Sequence, residues 1–306
     1  MSPIASGDRA GQMAVFAAVV EHGGLSRAAR AVGLSPSAVS KLIGRLEDRL
    51  GVRLLRRTTR KVAPTAEGRL FYERARELLD ELDAAEELVG AGRLRPRGTL
   101  RVTLSHGFGM RRIVPLVPEF SALHPEIELQ LAFADRCLDL VAEGVDLAVR
   151  LGPVRDETLI ARRLTDHGRI VCAAPAYLAR HGAPALPADL ARHNCVLFDQ
   201  PEHLNHWPFR TPAGQVERVR VRGNLRSDNG DALIELLLAG LGIARAADFA
   251  VLPLLAAGRL VPLLADFAVD DRTPIHAVYP QRRHLPAKVR VFIDFLVERL
   301  QGTAPG

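Results

Sequence analysis

The sequence predicts a two-part α/β protein: a small N-terminal all-α domain with a winged helix-turn-helix, then a linker helix, then a larger C-terminal α/β domain. Three observations predict this. Two short helical patterns flank a turn at Gly33-Leu34-Ser35; an apolar stripe with heptad spacing runs from Phe71 to Val89; and beyond a Gly/Pro stretch at 90–98, apolar runs alternate with helical segments.

Residues 1–8 read as a disordered lead. From Arg9 to Glu21, Met13, Phe16, Ala17 and Val20 recur at helical spacing and would close a core beneath the next two helices. Ser26 is placed to cap the first of these, whose face carries Ala28, Ala29 and Val32 up to Gly33. Ser35 caps the second, with Pro36 at its first position, where a missing N–H costs nothing. Val39, Ile43, Leu46 and Leu50 form its inner stripe until Gly51. The outer face keeps Ser37, Ser40, Lys41, Arg45 and Arg49, small hydroxyls followed by cations, which suits a DNA major groove. Val52 to Val62, interrupted by Arg56, Arg57, Thr58, Thr59, Arg60 and Lys61, predicts a two-stranded wing with a cationic tip.

Thr65 would cap a helix running to about Ala91. Within it Phe71, Ala75, Leu78, Leu82, Ala85 and Val89 are spaced four, three, four, three and four residues apart. A charged helix with one narrow apolar stripe, and no evident surface in its own DNA-binding domain to cover it, implies a partner helix. The competing arrangement is a helix packed on its own second domain.

After the linker, Leu100–Leu104, Ile127–Phe133 and Asp146–Leu151 read as strands, separated by helices at Met110–Leu123 and Asp135–Glu143. This βαβαβ order predicts a largely parallel sheet. Further strands are expected at Arg169–Ala174, Cys195–Phe198, Glu217–Leu225 and Pro274–Tyr279, with helices near Ala176–His181, Asp231–Ala239 and Leu285–Leu300.

Charge is placed unevenly. Residues 1–65 hold 11 Lys and Arg against 4 Asp and Glu, net +7, whereas the remaining 241 residues hold 30 against 31, net −1. A basic block confined to the domain that carries the helix-turn-helix is the electrostatic footprint of a phosphate backbone.

Other chemistries lack their residues. Cys137, Cys172 and Cys195 are too few and too scattered for a metal motif or a disulfide framework, and fit buried thiols in a reducing cytoplasm. Gly107-Phe-Gly109 and Gly240-Leu-Gly242 lack the third glycine and downstream acid of a dinucleotide fingerprint. No nucleophile elbow, acid/base pair or histidine ligand set is present, so neither an enzyme nor a cofactor is expected. No apolar run of membrane-spanning length or secretory leader is read, which predicts a soluble cytoplasmic protein.

The run from Phe16 through Gly68, with Ala28-Ala29, Ser35-Pro36-Ser37-Ala38-Val39-Ser40, Leu46-Glu47, Leu50-Gly51, Leu54-Leu55, Arg57 and Thr65-Ala66-Glu67-Gly68, resembles the LysR-type transcriptional regulators. The likeness continues more loosely to about Leu300, through Ala173-Ala174-Pro175-Ala176-Tyr177-Leu178, Ala239-Gly240-Leu241-Gly242-Ile243-Ala244 and Ala257-Gly258-Arg259-Leu260. It implies a regulator that binds double-stranded DNA and a small-molecule effector. It also implies dimers formed by antiparallel pairing of the linker helix, tetramers built from them, and a contact to RNA polymerase. The boundaries so implied are 1–65 for the DNA-binding domain, 66–97 for the linker helix and hinge, and 98–306 for the effector-binding domain. That last domain would be periplasmic-binding-protein-like, with subdomain I at about 98–165 and part of 229–306, and subdomain II at about 166–228.

The DNA contacts expected are Ser26, Arg27, Ser35 and Pro36 around the turn, Ser37, Ser40 and Arg45 on base edges or nearby phosphates, and Lys41 on phosphate. Arg57, Arg60 and Lys61 would hold the flanking backbone from the wing. Many members carry Gln where this chain has Pro36, so Ser37 or Arg45 would carry more of the base readout. In the cleft, the turn Ser105-His106-Gly107-Phe108-Gly109 after the first strand would bind an organic acid through the N-terminus of the following helix. Phe198, Asp199, Trp207, Ser227, Asp228 and Asn229 would face it from other strand ends.

Overall fold

The computed structural model describes residues 8–57, 62–89, 96–135, 139–140, 143–154, 156–199, 201–281 and 285–301, without side-chain placement at 57, 80, 83–84 and 86–89. The chain divides into two compact units at Arg95/Pro96.

In the N-terminal unit, helices α1 (Arg9–His22), α2 (Leu25–Ala31) and α3 (Pro36–Leu50) precede strands β1 (Leu55–Arg57) and β2 (Val62–Pro64), and helix α4 (Ala66–Val89) follows. The local chemistry sets the ends of α3: the Ser35 hydroxyl accepts the Ala38 N–H (3.2 Å), Pro36 occupies the first turn, and Gly51 closes the helix in the left-handed region (φ 70°). Phe16, Val19, Ala28, Val39, Ile43 and Leu46 are fully buried and lock the three helices together. Two expectations change. Gly24, not Ser26, is the N-cap of α2, because the helix starts one residue before the serine. Leu50, the last residue of α3, is 36% exposed rather than part of the buried stripe.

β1 and β2 form the expected antiparallel hairpin, Arg57 opposite Val62, while the tip at 58–61 lies outside the described residues. Thr65 caps α4, its hydroxyl accepting the Gly68 N–H (2.9 Å) and donating to the Arg53 carbonyl (2.8 Å). Gly68 sits so close to the wing that a Cβ there would fall 2.0 Å from the Leu54 carbonyl oxygen, which fixes how α4 leaves the domain.

The C-terminal unit holds two sheets. The first contains β3 (Gly98–Leu104), β4 (Ile127–Phe133), β5 (Leu147–Leu151), β6 (Leu159–His167) and β14 (Thr273–Pro280), in the order β4-β3-β5-β14-β6. The second is built on β7 (Arg169–Ala173), flanked by β12 (Ile243–Ala247) and β13 (Val261–Pro262), and is bridged through Cys195–Ile243 toward β8 (Val196–Phe198) and β11 (Leu225–Ser227). A hairpin of β9 (His206–Arg210) and β10 (Val216–Arg220) leaves this second sheet. The helices are α5 (His106–Phe108), α6 (Val117–Leu123), α7 (Pro175–His181), α8 (Gly230–Leu238), α9 (Asp248–Ala256) and α10 (Ala287–Gln301).

The first sheet is mixed, not largely parallel. β3 pairs in parallel with β4 and β5, but β14 inserts antiparallel between β5 and β6. The cause is topological: the whole second sheet is inserted between β6 and β14, so the chain re-enters the first sheet running the other way. For the same reason the return crossing lies just before Thr273, not at about 228/229 as the expected subdomain bounds place it, because α8, β12, α9 and β13 all build on the second sheet. The two crossings run side by side, with His167 opposite Thr273.

Smaller corrections are local. The helix expected at Met110–Leu123 is broken into a π turn (Gly109–Ile113), a 3-10 turn (Val114–Leu116) and α6, with Pro115 and Pro118 removing the donors a continuous helix would need. Of the helix expected at Asp135–Glu143, the described residues are a bend at Asp135, an unassigned Asp139 and turn residues at Leu140 and Glu143, and 136–138 and 141–142 lie outside the described residues. The strand expected at Glu217–Leu225 splits into β10 and β11 around Gly223, where a Cβ would fall 1.7 Å from the Cys195 carbonyl oxygen.

Candidate DNA interface and effector cavity

On α3, the residues opposite the buried stripe form one exposed strip of Pro36, Ser37, Lys41 and Arg45. Ser40 is half-buried. Ser35 is exposed, but its hydroxyl is engaged by the Ala38 N–H and lies 3.0 Å from the Ser37 hydroxyl. Ser26 and Arg27 are exposed in the first turn of α2, and the Arg27 guanidinium donates to the Gly23 carbonyl (3.1 Å). Arg57 is placed by its backbone in β1, whereas Arg60 and Lys61 lie outside the described residues.

The wing is held by a residue that sequence reasoning gave no role. Glu47 is 3% exposed, at the base of α3; its Oε1 accepts the N–H groups of Leu54 (2.8 Å) and Leu55 (3.0 Å), and its Oε2 takes Arg53 (2.8 Å). Burial alone would push this carboxyl up; the Arg53 contact and the two backbone donors outweigh it and hold it below the ordinary value. A lone acid on the inner side of an amphipathic helix was the available signal.

The apolar stripe of α4 divides. Phe71 packs edge-on against Phe16 of α1 (5.5 Å) and Ala75 is 1% exposed, so the first part is covered within its own domain, contrary to the expectation that nothing there could bury it. Tyr72 and Arg76 both donate to Glu21 of α1 (3.1 and 2.8 Å). Beyond this, Leu78 is 51% and Leu82 42% exposed, with Ala85 also exposed; the side chain of Val89 lies outside the described residues.

In the C-terminal unit a cavity of about 550 Å³ opens between the two sheets. Ser105, Gly107 and Phe108, from the turn after β3, line one wall, and Phe198, Asp228 and Arg169 line the other. Gly109 lets this turn lie against the sheet: a Cβ there would meet the Leu104 Cβ at 2.7 Å. Phe108 and Phe249 meet edge to face across the two walls (5.3 Å), and Arg111 is ion-paired with Asp231 of α8.

The other expected cleft residues divide by role. His106 points to solvent with its ring tilted on Phe133 (5.4 Å). Asp199 is exposed and its N–H bonds the Ser227 carbonyl (3.0 Å). The Ser227 hydroxyl accepts the Asn229 N–H (3.1 Å), and the Asn229 side chain caps α8 through the N–H groups of Asp231 and Ala232 (2.9 and 3.0 Å). Trp207 is a correction: it is 2% exposed in the core with Tyr177 and Phe209, because β9 turns that face toward the second sheet and away from the cavity.

The cationic lining escaped sequence reasoning. Arg150, Arg169 and Arg245 all line the cavity, each from within or at the end of an apolar strand run, and that was the signal. Arg245 is ion-paired with Asp271, and Arg150 donates to the Ala134 carbonyl (2.9 Å). Arg169 lies over the Phe198 ring (5.4 Å), and burial, with Arg245 nearby, pushes it down to about 10. Cys172 and Cys195 are buried, and burial pushes both thiols up to about 12, far from reactive thiolates; Cys137 lies outside the described residues. Among the described residues no His, Cys, Asp and Glu cluster could hold a metal, and no helix is long and apolar enough to cross a membrane.

A winged helix-turn-helix with a cationic strip, carried on the same chain as a two-sheet domain enclosing a small-molecule cavity, defines a ligand-responsive DNA-binding regulator. The chain belongs to the LysR-type transcriptional regulators: residues 10–69 match the bacterial regulatory helix-turn-helix of the lysR family, and residues 93–301 match the LysR substrate binding domain. Members of this family are regulators and not enzymes. The chain is 39% identical over 289 residues to the HTH-type transcriptional regulator CrgA of Neisseria meningitidis, covering 94% of this chain and 96% of that one. It is 36% identical over 283 residues to the regulator DmlR of Escherichia coli, covering 92% and 91%. The solved structure of CrgA superposes with a TM-score of 0.63 at 37% identity, covering 97% of this chain and 99% of that one. The full-length Vibrio cholerae virulence activator AphB gives 0.60 at 27%, covering 96% and 100%.

Proposed function

We propose that this regulator reads a partly symmetric operator with the Ser37, Lys41 and Arg45 strip of α3, steadied by Arg57, Arg60 and Lys61 of the wing. Ser26, Arg27, Ser35 and Pro36 shape the turn beside that strip. The operator is bound by a dimer paired through Leu78, Leu82 and Ala85, with tetramers as the higher assembly and RNA polymerase as a further contact in the cytoplasm. The working divisions are 1–65 for reading DNA, 66–97 for pairing and 98–306 for sensing.

The effector is a small organic acid held in the cavity between the two sheets. The observation that carries this reading is the cavity itself: its walls come from both sheets beside paired crossings, so an occupant contacts both and shifts their balance. A genome-wide footprint of the purified protein tests it. Discrete sites with salt-sensitive binding, altered by acids that the products of neighbouring genes make or consume, are the expected result; uniform binding to bulk DNA would refute it.

A further inference from the structure

The turn after β3 is not where an acid's charge can go. α5 is three residues long, and the His106 N–H at its start is already taken by the Asp135 carboxylate (2.8 Å). A ligand carboxylate there would face a resident one. The Ser105 N–H is likewise taken, by the Val149 carbonyl (3.2 Å), which leaves the Ser105 hydroxyl: the residue lines the cavity, and its hydroxyl, just beneath that surface, is buried and has no hydrogen-bond partner among the described residues. This end of the cavity therefore asks for a neutral hydroxyl or carbonyl.

The cations of the lining differ in what holds them. Arg245 is matched by Asp271, and Arg150 donates to the Ala134 carbonyl. Arg169 stacks on Phe198, and among the described residues its guanidinium makes no ion pair and no hydrogen bond. The guanidinium is half-buried, and Asp271 and Asp248 act on it only through space, so an incoming anion would be its first direct partner. The lining also carries an apolar set that includes Phe108, Phe249, Leu233, Ile234 and Ala246.

Resting on the proposed effector reading, we infer that the ligand is a monocarboxylic acid with an apolar, ring-sized body, its carboxylate on Arg169 above Phe198 and a neutral hydrogen-bonding group on Ser105. Dicarboxylates are disfavoured, because a second charge at the Ser105 end meets the Asp135 carboxylate.

The test titrates the full-length protein calorimetrically with 4-hydroxyphenylacetate, 4-hydroxyphenylacetamide, 1,4-phenylenediacetate and inorganic phosphate. The hydroxy acid should bind about tenfold or more tighter than the amide, the diacid and phosphate. Arg169→Gln should weaken the acid by about tenfold and abolish its advantage over the amide, whereas Ser105→Ala should weaken acid and amide alike. If Arg169→Gln does not fold, Phe198→Leu must weaken the acid more than the amide. Wild-type affinity in Arg169→Gln, tighter binding of the diacid or phosphate, or no binding of the acid at about 10 mM overturns the inference. Operator binding by the same preparations separates the two readings. Lost DNA selectivity in the wild type refutes the regulator reading, and intact selectivity with an Arg169-independent acid refutes this one alone.

Discussion

Glu47 and Leu54 are joined by a 2.8 Å hydrogen bond from the Leu54 N–H to the Glu47 carboxylate, so the recognition helix and the start of the wing move as one piece. The wing is a hairpin of two three-residue strands, too small to hold itself. Glu47→Ala should cost about 3 kcal/mol by leaving two backbone donors and Arg53 without their acceptor, and Glu47→Gln should cost less. Because the folded carboxyl titrates below its ordinary value, its contribution is present above about pH 4.5 and is lost as the pH falls further. Urea denaturation of the two variants at pH 7 and pH 4 checks both statements; equal stability of Glu47→Ala and the parent at pH 7 would remove Glu47 from this role.

His167 sits at the first crossing between the sheets, 1% exposed, with Nδ1 on the Gly168 carbonyl (3.1 Å) and Nε2 without a partner among the described residues. Phe249 lies edge-on to its ring (5.5 Å), and Arg169, Asp248 and Arg272 are the charged groups acting on it. Burial first, then Arg169 and Arg272, push it down to about 4 against the opposing Gly168 bond and Asp248. The unfolded chain therefore binds the proton at a higher pH than the folded one. Stability is full above about pH 6.5 and declines down to pH 4, by roughly 3 kcal/mol. His167→Phe should flatten the denaturation midpoint across that window. A parent-like slope in the variant would assign the acid sensitivity to other groups.

What the sequence makes legible is mostly local. Ser35, Pro36 and Gly51 delimit α3 through their own backbone chemistry, and the alternation of β3, β4 and β5 with turns needs no distant partner to be read. What it hides depends on which surface lies opposite. The period of Phe71, Ala75, Leu78 and Leu82 reveals an apolar stripe but not that Phe16 of α1 covers its first part. Trp207 reads equally well as a cleft wall or a core residue until the partner of β9 is known. The pairing of Arg245 with Asp271 joins β12 to the segment just before β14 across 26 residues of sequence, so it could not be read from either residue's neighbours.

Arg45 and Lys41 share the exposed strip of α3 and are expected to differ in what they read. Arg45→Ala should cost about 1–3 kcal/mol of operator binding and relax preference at one base pair. Lys41→Ala, like Arg60→Ala or Lys61→Ala in the wing, should weaken all sequences alike and lower the salt slope by about one. Binding-site selection with each variant, run at two salt concentrations, distinguishes them. A single shared phenotype would mean that all four cations serve phosphates and that base readout falls to Ser37 or another group.

Leu78 and Leu82, 51% and 42% exposed, are the part of the α4 stripe that its own domain leaves open, and Phe71 and Ala75 are the part it closes. The two halves should therefore respond oppositely to substitution. Burying each leucine in a dimer contributes about 1.5–3 kcal/mol, so Leu78→Asp with Leu82→Asp should give monomers of near-parental thermal stability that lose operator binding, because one half-site alone is weak. Phe71→Ala should instead lower the stability of the DNA-binding domain by about 3 kcal/mol through the cavity left beside Phe16, with assembly failing only where the domain unfolds. Sedimentation velocity alongside thermal denaturation separates the outcomes. If the double aspartate variant sediments as the parent oligomer, pairing runs through a surface other than α4, and the open half of its stripe is not the dimer contact.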